Sequence, residues 1–356
     1  MRMVKIWMAV LVFVRVGSTD GAGEKKEYNK EEHRALCDFL KIALGTWGDQ
    51  GSGLSEPLKA ALKTTIFGFG SREESIEKLK SFPADYLEAV KSPGSRATWC
   101  GGPYHGGEDN GHSLNRWSGH SAPHDLVCLC TAGNYGWPVN ETSPDNTLCG
   151  RSKEDLMGNK NEGWGSLGAV WDPNLNDLVI HDKGEAQIQA TWSNVVTECL
   201  KGETGKDLKQ ALKTFIGKLN RTLEGKDRYM YRLGEGSYSK INHDACTGSS
   251  TYGVCVGYFP NRTNTKTWWK DLQNAFDVEE QQKRRAEEDA TRRQQEHPAQ
   301  KDEPQTAALT SARQTTNQTE QQRNDKLHEA IRKYNLTSGT PISQPTSWLL
   351  SATILI

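Results

Sequence analysis

The chain has few apolar residues and lacks a hydrophobic run long enough to cross a membrane. Only 35% of its 356 residues are hydrophobic, and its mean hydropathy is −0.73. A membrane-spanning helix needs about 20 consecutive apolar residues. The apolar stretch that ends the sequence, residues 348–356, is less than half that length, so we do not expect it to form a stable span.

An excess of charge of either sign is also missing. The chain carries 44 basic and 45 acidic residues, and its net charge is −1. A protein that binds nucleic acid through its phosphates presents a basic field, and an acidic tail indicates a basic partner. The sequence has neither feature, so a nucleic-acid partner is not predicted.

Cysteine is absent after Cys255, although the preceding chain contains eight cysteines. An even number of cysteines in a secreted chain indicates a disulfide framework. We therefore expect all eight to be paired within a domain that ends near this point, in one of on the order of a hundred possible connectivities. The cysteines are Cys37, Cys100, Cys128, Cys130, Cys149, Cys199, Cys246 and Cys255.

The end of the sequence has the pattern of a signal for a glycosylphosphatidylinositol (GPI) anchor. Three small residues from Ser338 to Thr340 precede a polar, proline-bearing spacer and the apolar residues 348–356. This order is typical of chains whose tail is exchanged for the lipid. We expect attachment at Ser338, with Gly339 as the neighbouring alternative, and removal of residues 339–356. A terminal strand or helix packed on a domain is the competing interpretation.

The beginning of the sequence has the pattern of a secretory signal peptide. Basic residues precede the apolar residues 6–14, and small residues follow from Gly17. This order predicts cleavage after Ser18, with cleavage after Gly21 as the alternative. A protein with both signals lies on the extracellular face of the plasma membrane and is held there by its lipid alone.

Apolar residues at helical spacing predict a mainly α-helical domain over residues 19–276. The stripes occupy residues 28–47, 56–66, 73–79, 185–199, 208–219 and 265–276, with steps of three and four residues. Asn29, followed by Glu32, predicts a capping box at the first helix. Residues 98–150 are rich in glycine, proline and cysteine, and they predict cross-linked loops with short strands at most. Residues 163–179 continue this character.

The chain changes character after residue 276. Residues 277–298 are highly charged and predict a solvated helix. Residues 299–338 contain little that could be buried, so we expect a flexible, glycosylated tether.

Two groups of residues could indicate a metal site or a catalytic site. Four histidines between Cys100 and Cys128 could suggest a metal site, but their spacing does not match paired zinc ligands; they are His105, His112, His120 and His124. Ser118, His120 and Asp125 could suggest a nucleophile, a base and an acid, but they lack the nucleophile-elbow motif. We therefore predict a protein without catalysis, metal or cofactor.

Five Asn-x-Thr sequons without proline are expected to carry N-linked glycans in a secreted chain. The asparagines are Asn140, Asn220, Asn261, Asn317 and Asn335.

The order of these parts resembles the variant surface glycoproteins of African trypanosomes. The resemblance is carried by the early helix with Leu36 and Cys37, the run from Cys128 to Thr131 that leads to Cys149, and a cysteine-bearing helix around Cys199. The charged helix and the anchor signal complete it. The absence of later cysteines resembles the shorter type that lacks a cysteine-rich C-terminal domain.

This resemblance implies an elongated domain built on a long antiparallel helical hairpin or bundle of coiled-coil type. It also implies a homodimer in a dense coat on the outer leaflet, which meets host antibodies and evades them by antigenic variation. A surface receptor for a host serum protein or nutrient, on the same helical scaffold, is the alternative function. A receptor should show a saturable ligand and modest copy number, whereas a coat protein should dominate the surface.

Overall fold

The computed structural model describes residues 25–91, 96–102, 108–109, 112–113, 115–172, 176–225, 228–238, 245–262 and 266–296. The chain divides into two compact units, Met1–Arg293 and Gln294–Ile356. Within the second unit only the first three residues are described. The predicted signal peptide, tether and anchor signal therefore lie outside the described residues.

Helices form most of the regular structure of the first unit. The longer ones are α1 (Lys30–Trp47), α2 (Glu56–Phe67), α5 (Ala122–Cys130), α8 (Leu208–Ile216) and α9 (Trp268–Glu296). The short ones are α3 (Ile76–Leu79), α4 (Tyr86–Ala89), α6 (Glu185–Thr191) and α7 (Thr197–Cys199). Wide π turns occupy Ala97–Gly101 and Trp192–Val196, and a 3-10 turn occupies Asn134–Gly136.

The strands form small separate sheets, so the described chain is mixed rather than purely helical. Parallel β1 (Glu27–Tyr28) and β4 (Thr147–Leu148) form one pair, and β2 (Glu108–Asp109) with β3 (His112–Ser113) forms another. An antiparallel hairpin joins β5 (Gly163–Asp172) to β6 (Asp177–Lys183). The antiparallel sheet β7-β8-β9 comprises Asn220–Gly225, Arg228–Gly234 and Cys255–Tyr258.

Helix α1 forms where its apolar stripe predicts it. Leu36, Phe39 and Leu40 are fully buried on its inner face, and each buried side chain of this size stabilises the fold by about 1.5–3 kcal/mol. The helix ends at Gly48, whose positive φ of 45° suits glycine and whose N–H donates to the Leu44 carbonyl. The core thus includes the first long helix along most of its length.

The predicted capping box at Asn29 is wrong. Asn29 adopts a left-handed conformation with φ 53° and makes no side-chain cap. Its amide nitrogen instead donates to the carbonyls of Leu129, at 2.9 Å, and Val254, at 2.6 Å, while its Oδ1 accepts from the Glu235 N–H. Asn29 therefore satisfies buried carbonyls and joins the start of α1 to α5 and to the β8–β9 region.

The prediction that residues 98–150 contain no helix is also wrong, because α5 lies there. Ser121 caps this helix by accepting a hydrogen bond from the His124 N–H, and Pro123 occupies its first turn. All nine residues of α5 are buried. A helix that is enclosed on every side shows no amphipathic period, and the sequence pattern therefore did not indicate it.

The β5–β6 hairpin corrects the loop prediction for residues 163–179. Its strands pair from Leu167 with Asp182 to Asp172 with Asp177, after a register shift that follows Gly163. Three glycines, Gly163, Gly165 and Gly168, fall within β5 and interrupt the alternation that would otherwise predict a strand.

The later helices follow their predicted stripes. Helix α8 begins at Asp207, whose side chain accepts from the Gln210 N–H. Helix α9 buries Trp268, Trp269 and Leu272 in its first turns. The same helix is exposed from Gln281 to Arg293, where its sequence is highly charged. The helix therefore leaves the apolar core and continues into solvent.

Candidate functional site

Ser118 and His120 precede helix α5 and Asp125 lies on it, and Asp125 is the most deeply buried of these three candidate catalytic residues. Its Oδ1 accepts from the Gly119 N–H at 2.9 Å. Its Oδ2 accepts from the Tyr258 hydroxyl at 2.8 Å and from the Trp268 Nε1–H at 2.6 Å. Burial raises the pKa of Asp125 to about 7, although these hydrogen bonds oppose the shift. Its oxygens connect α5 with β9 and α9.

His124, the residue before Asp125, is also fixed by hydrogen bonds on both sides of its ring. Its Nε2 lies 3.1 Å from the Trp99 carbonyl, which can only accept, so this nitrogen carries the proton. Its Nδ1 therefore accepts from the Tyr86 hydroxyl, at 2.9 Å. Burial, with a contribution from nearby Arg116, lowers the pKa of His124 to about 3. The imidazole is neutral and occupied on both sides.

His120 and Ser118 do not form a relay with Asp125. Ser118 donates to the Gly102 carbonyl at 2.8 Å. The His120 ring packs edge-on to Trp117, with ring centroids 4.7 Å apart, and burial lowers the pKa of His120 well below its ordinary value. Among the described residues, the Asp125 carboxylate is bound by Tyr258, Trp268 and Gly119 rather than by His120. The nucleophile hypothesis therefore has no geometric support.

The four-histidine cluster is only partly described. His105 lies outside the described residues, and the side chain of His112 is not described. The two remaining rings, those of His120 and His124, pack against aromatic neighbours, with centroids 6.2 Å apart. The described part of this cluster therefore works as aromatic core.

A buried arginine holds the end of α5. Arg96 is fully buried, and its guanidinium donates to the carbonyls of Cys128, Thr131 and Trp164. The last carbonyls of a helix lack intrahelical donors and carry partial negative charge. Burial lowers the pKa of Arg96 to about 9, and Asp182 opposes this shift. The sequence shows no signal for this role, because nothing local to residue 96 predicts its distant acceptors.

The structure pairs all eight cysteines, and three of the four bridges include a residue of α1 or α5. Cys37 of α1 is bonded to Cys199 at the end of α7. The other pairs are Cys100–Cys128, Cys130–Cys149 and Cys246–Cys255. Two of the four bridges thus hold the C-terminal turn of α5.

The first of these bridges has a histidine beside it. His33 lies one helical turn before Cys37, and its Nε2 is 3.7 Å from the Cys199 Sγ. Burial, together with Arg151 and Lys41, lowers the pKa of His33 to about 4. Among the described residues, one group of histidine, cysteine or carboxylate side chains lies close enough together for a metal ion. It consists of His33, Cys37 and Cys199, whose potential ligand atoms all lie within 4.8 Å of one another.

Three of the predicted glycosylation sequons lie among the described residues. Asn220 is exposed at the start of β7, and Asn261 is exposed after β9. Asn140 is half-buried, and its Oδ1 accepts from the hydroxyl and the N–H of Thr142. Asn317, Asn335 and the expected anchor residue Ser338 lie outside the described residues.

Within the described part of the chain, no helix combines the length and apolar character needed to cross a membrane.

The family model of the trypanosomal VSG domain (VSG_B) matches residues 45–297. This range extends from the end of α1 to the end of α9 and includes every cysteine except Cys37. The chain belongs to the trypanosomal VSG domain family. No curated protein matches it. The VSG family consists of variant surface glycoproteins that form the trypanosome surface coat, and their role is structural rather than enzymatic. The internal use of Asp125 and His124 agrees with that role.

Proposed function

We propose that this chain is a GPI-anchored variant surface coat glycoprotein, which shields the parasite surface and supports immune evasion by antigenic variation. The observation that carries the proposal is the VSG domain match over residues 45–297.

The arrangement of the interior supports a coat protein whose surface changes. The groups that specify the fold, including Asn29, Arg96 and Asp125, are buried and bonded to the backbone or to other buried side chains. Exposed substitutions away from such groups usually change the free energy of unfolding by about 0.5 kcal/mol or less. The exposed residues can therefore diverge, and present new epitopes to host antibodies, while the fold persists.

The proposed path to the surface uses both ends of the chain. A signal peptide, residues 1–18, directs secretion, and the GPI lipid joined to Ser338 holds the mature protein on the outer leaflet. The charged segment 277–298 includes the exposed part of α9, whose composition suits a connection through solvent. Residues 299–338 then form the tether, and residues 339–356 are removed.

The proposed coat subunit is a glycosylated homodimer with an elongated helical hairpin, as the family resemblance implies. The 18-residue α1 and the 29-residue α9 are the longest helices of the described residues, and Phe39 of α1 stacks on Trp268 in the first turn of α9, with ring centroids 5.1 Å apart. Sedimentation of the native glycoprotein tests the dimer, and enzymatic removal of N-glycans followed by peptide mapping tests each sequon.

Surface abundance tests the coat function directly. Quantitative proteomics of the intact cell surface should find this chain as the most abundant protein when it is expressed. Binding assays with host serum components should find no saturable ligand. A small number of copies per cell together with a specific, saturable ligand would contradict the coat function and establish a receptor.

A further inference from the structure

The bridge between α1 and α7 contains the components of a metal site. His33 and Cys37 are four residues apart on α1, so both side chains lie on one face of the helix. Cys199 approaches that face from α7 and is bonded to Cys37. One imidazole and two sulfurs are a common ligand set for zinc.

We propose that His33, Cys37 and Cys199 form a latent site for a thiophilic divalent cation such as Zn²⁺, which opens when the Cys37–Cys199 disulfide is reduced. The oxidised pair has no thiolate to offer, because each sulfur shares its bond with the other. After reduction, the two thiolates and the imidazole supply three ligands, and water takes the fourth position of a tetrahedral ion.

The geometry around His33 is close to what this ion requires. Zn–S bonds of about 2.3 Å and Zn–N bonds of about 2.0–2.1 Å place the sulfur and nitrogen of a tetrahedral site about 3.6 Å apart. The His33 Nε2 and the Cys199 Sγ are 3.7 Å apart in the structure. Reduction then requires only that the two sulfurs separate to about 3.8 Å, which is within reach of side-chain rotation.

The charge of the filled site also suits its surroundings. Two thiolates neutralise Zn²⁺, so the complex adds no net charge to a region in which Cys37 and Cys199 are buried. The positive side chains of Lys41 and Arg151 lie near His33, and the neutral complex brings no net positive charge beside them. His33 is half-buried, and its exposed side gives a cation a route to the sulfurs.

A second histidine in the chain provides an internal comparison. His124 precedes Cys128 by the same four residues, and its Nε2 lies 3.5 Å from the Cys128 Sγ. Both of its ring nitrogens are engaged, one with Tyr86 and the other with Trp99, and the residue is fully buried. The same spacing therefore produces core packing at α5 and a potential ligand at α1.

The chemistry balances with a water-soluble phosphine as the reductant. The phosphine takes up the oxygen of one water molecule and becomes a phosphine oxide, while the disulfide gains two electrons and two protons and becomes two thiols. Zn²⁺ then displaces the two thiol protons, which pass to the buffer, and the imidazole donates its lone pair. The cation replaces the covalent link between α1 and α7 with a coordinate one.

Metal titration of the full-length glycoprotein tests the proposal. The native protein is reduced with the phosphine without denaturant, freed of reductant in the absence of oxygen and titrated with Zn²⁺, or with Co²⁺ as a spectroscopic probe. We expect one tightly bound equivalent after reduction and none before it. His33→Ala should weaken binding about 10-fold or more, because even outer-shell partners have effects of this size. His181→Ala, a change of another half-buried histidine, should not weaken binding.

Thiol alkylation with mass spectrometry locates the ion. Zn²⁺ should protect Cys37 and Cys199 from alkylation and leave Cys246 and Cys255 reactive. Equal protection at all reduced pairs, or unchanged affinity in His33→Ala, would overturn the proposal. If reduction unfolds the chain, Zn²⁺ should restore the helical circular-dichroism signal in the parent protein and not in His33→Ala. Failure to restore it in the parent would equally overturn the proposal.

Discussion

Replacing Tyr258 with phenylalanine should destabilise the protein by an amount that depends on pH. The substitution removes one hydroxyl, which donates to the Asp125 Oδ2 at 2.8 Å, and leaves the buried ring in place. A hydrogen bond to a charged group contributes about 1.5–3 kcal/mol to the free energy of unfolding. At about pH 8 the Asp125 carboxyl, whose pKa is about 7, is mostly ionised. We therefore expect a loss of about 2 kcal/mol.

The loss should decrease as the pH falls. The pKa of Asp125 is raised in the folded state from its ordinary value of 3.8 to about 7. Between these two pKa values the folded protein binds more protons than the unfolded chain. Acidification therefore raises the contribution of Asp125 to the free energy of unfolding, and a rise in pH through 7 removes that contribution. At about pH 5.5 the carboxyl is neutral. The bond from Tyr258 is then an ordinary one, and its loss should cost about 1 kcal/mol.

Urea unfolding with the disulfides intact measures both values. Tyr231→Phe is the matched control. Tyr231 is half-buried and its ring packs on Trp269. Among the described residues, its hydroxyl makes no hydrogen bond. Its effect should be small and the same at both pH values. The account of Asp125 would be refuted by a loss in Tyr258→Phe that does not change with pH, or by one no larger than that of the control.

Three further experiments test the buried arginine, the disulfides and the domain boundary. Arg96→Met should cost about 3 kcal/mol or more in urea unfolding, because three buried carbonyls lose their donor; a loss as small as that of exposed Arg34→Met would contradict this role. Replacing both Cys37 and Cys199 with serine should lower the free energy of unfolding by about 5 kcal/mol, and replacing Cys246 and Cys255 should lower it by about 2.6 kcal/mol. The difference arises because the two bridges close loops of 162 and 9 residues, and the reverse order would contradict this reasoning. Brief trypsin treatment should cut among Arg284, Arg293, Lys301 and Arg313 before it cuts within the domain, and early cuts between Lys201 and Lys240 would place the boundary elsewhere.

The sequence predicted the helices that have one buried face. Lys30–Trp47 and Leu208–Ile216 both carry apolar residues at steps of three and four, because one side of each contacts the core and the other contacts solvent. The charged half of α9 was predictable for the opposite reason, since it has almost nothing to bury.

The sequence did not predict elements that are buried on every side, because such elements lack the alternation of apolar and polar residues that indicates a helix. Helix α5 is buried on all sides, including its polar residues His124 and Asp125, so it has no solvent-facing side that would reveal a helical period. Only Ser121 followed by Pro123, a common start of a helix, could have indicated it. Asn29 illustrates a different limit. Its side chain could cap its own helix, but two distant carbonyls at Leu129 and Val254 compete for the same amide.

The candidate site was predictable as a list of residues but not as an arrangement. His120, His124 and Asp125 were recognisable as titratable groups. The hydrogen-bond partners of His124 and Asp125, which are Tyr86, Tyr258 and Trp268, come from distant parts of the chain. The pairing of the cysteines depends on the same long-range contacts. The spacing of His33 and Cys37 was visible in the sequence, but its meaning depends on Cys199.

Intact-mass analysis of the native protein, before and after treatment with a phosphatidylinositol-specific phospholipase C, tests the central claim most directly. We predict a mature chain that begins near residue 19 and ends at Ser338 with a glycolipid, and that loses the mass of its diacylglycerol on treatment. Recovery of a native peptide that contains Trp348, or a mass unchanged by the enzyme, would contradict the assignment of this chain as a lipid-anchored coat protein.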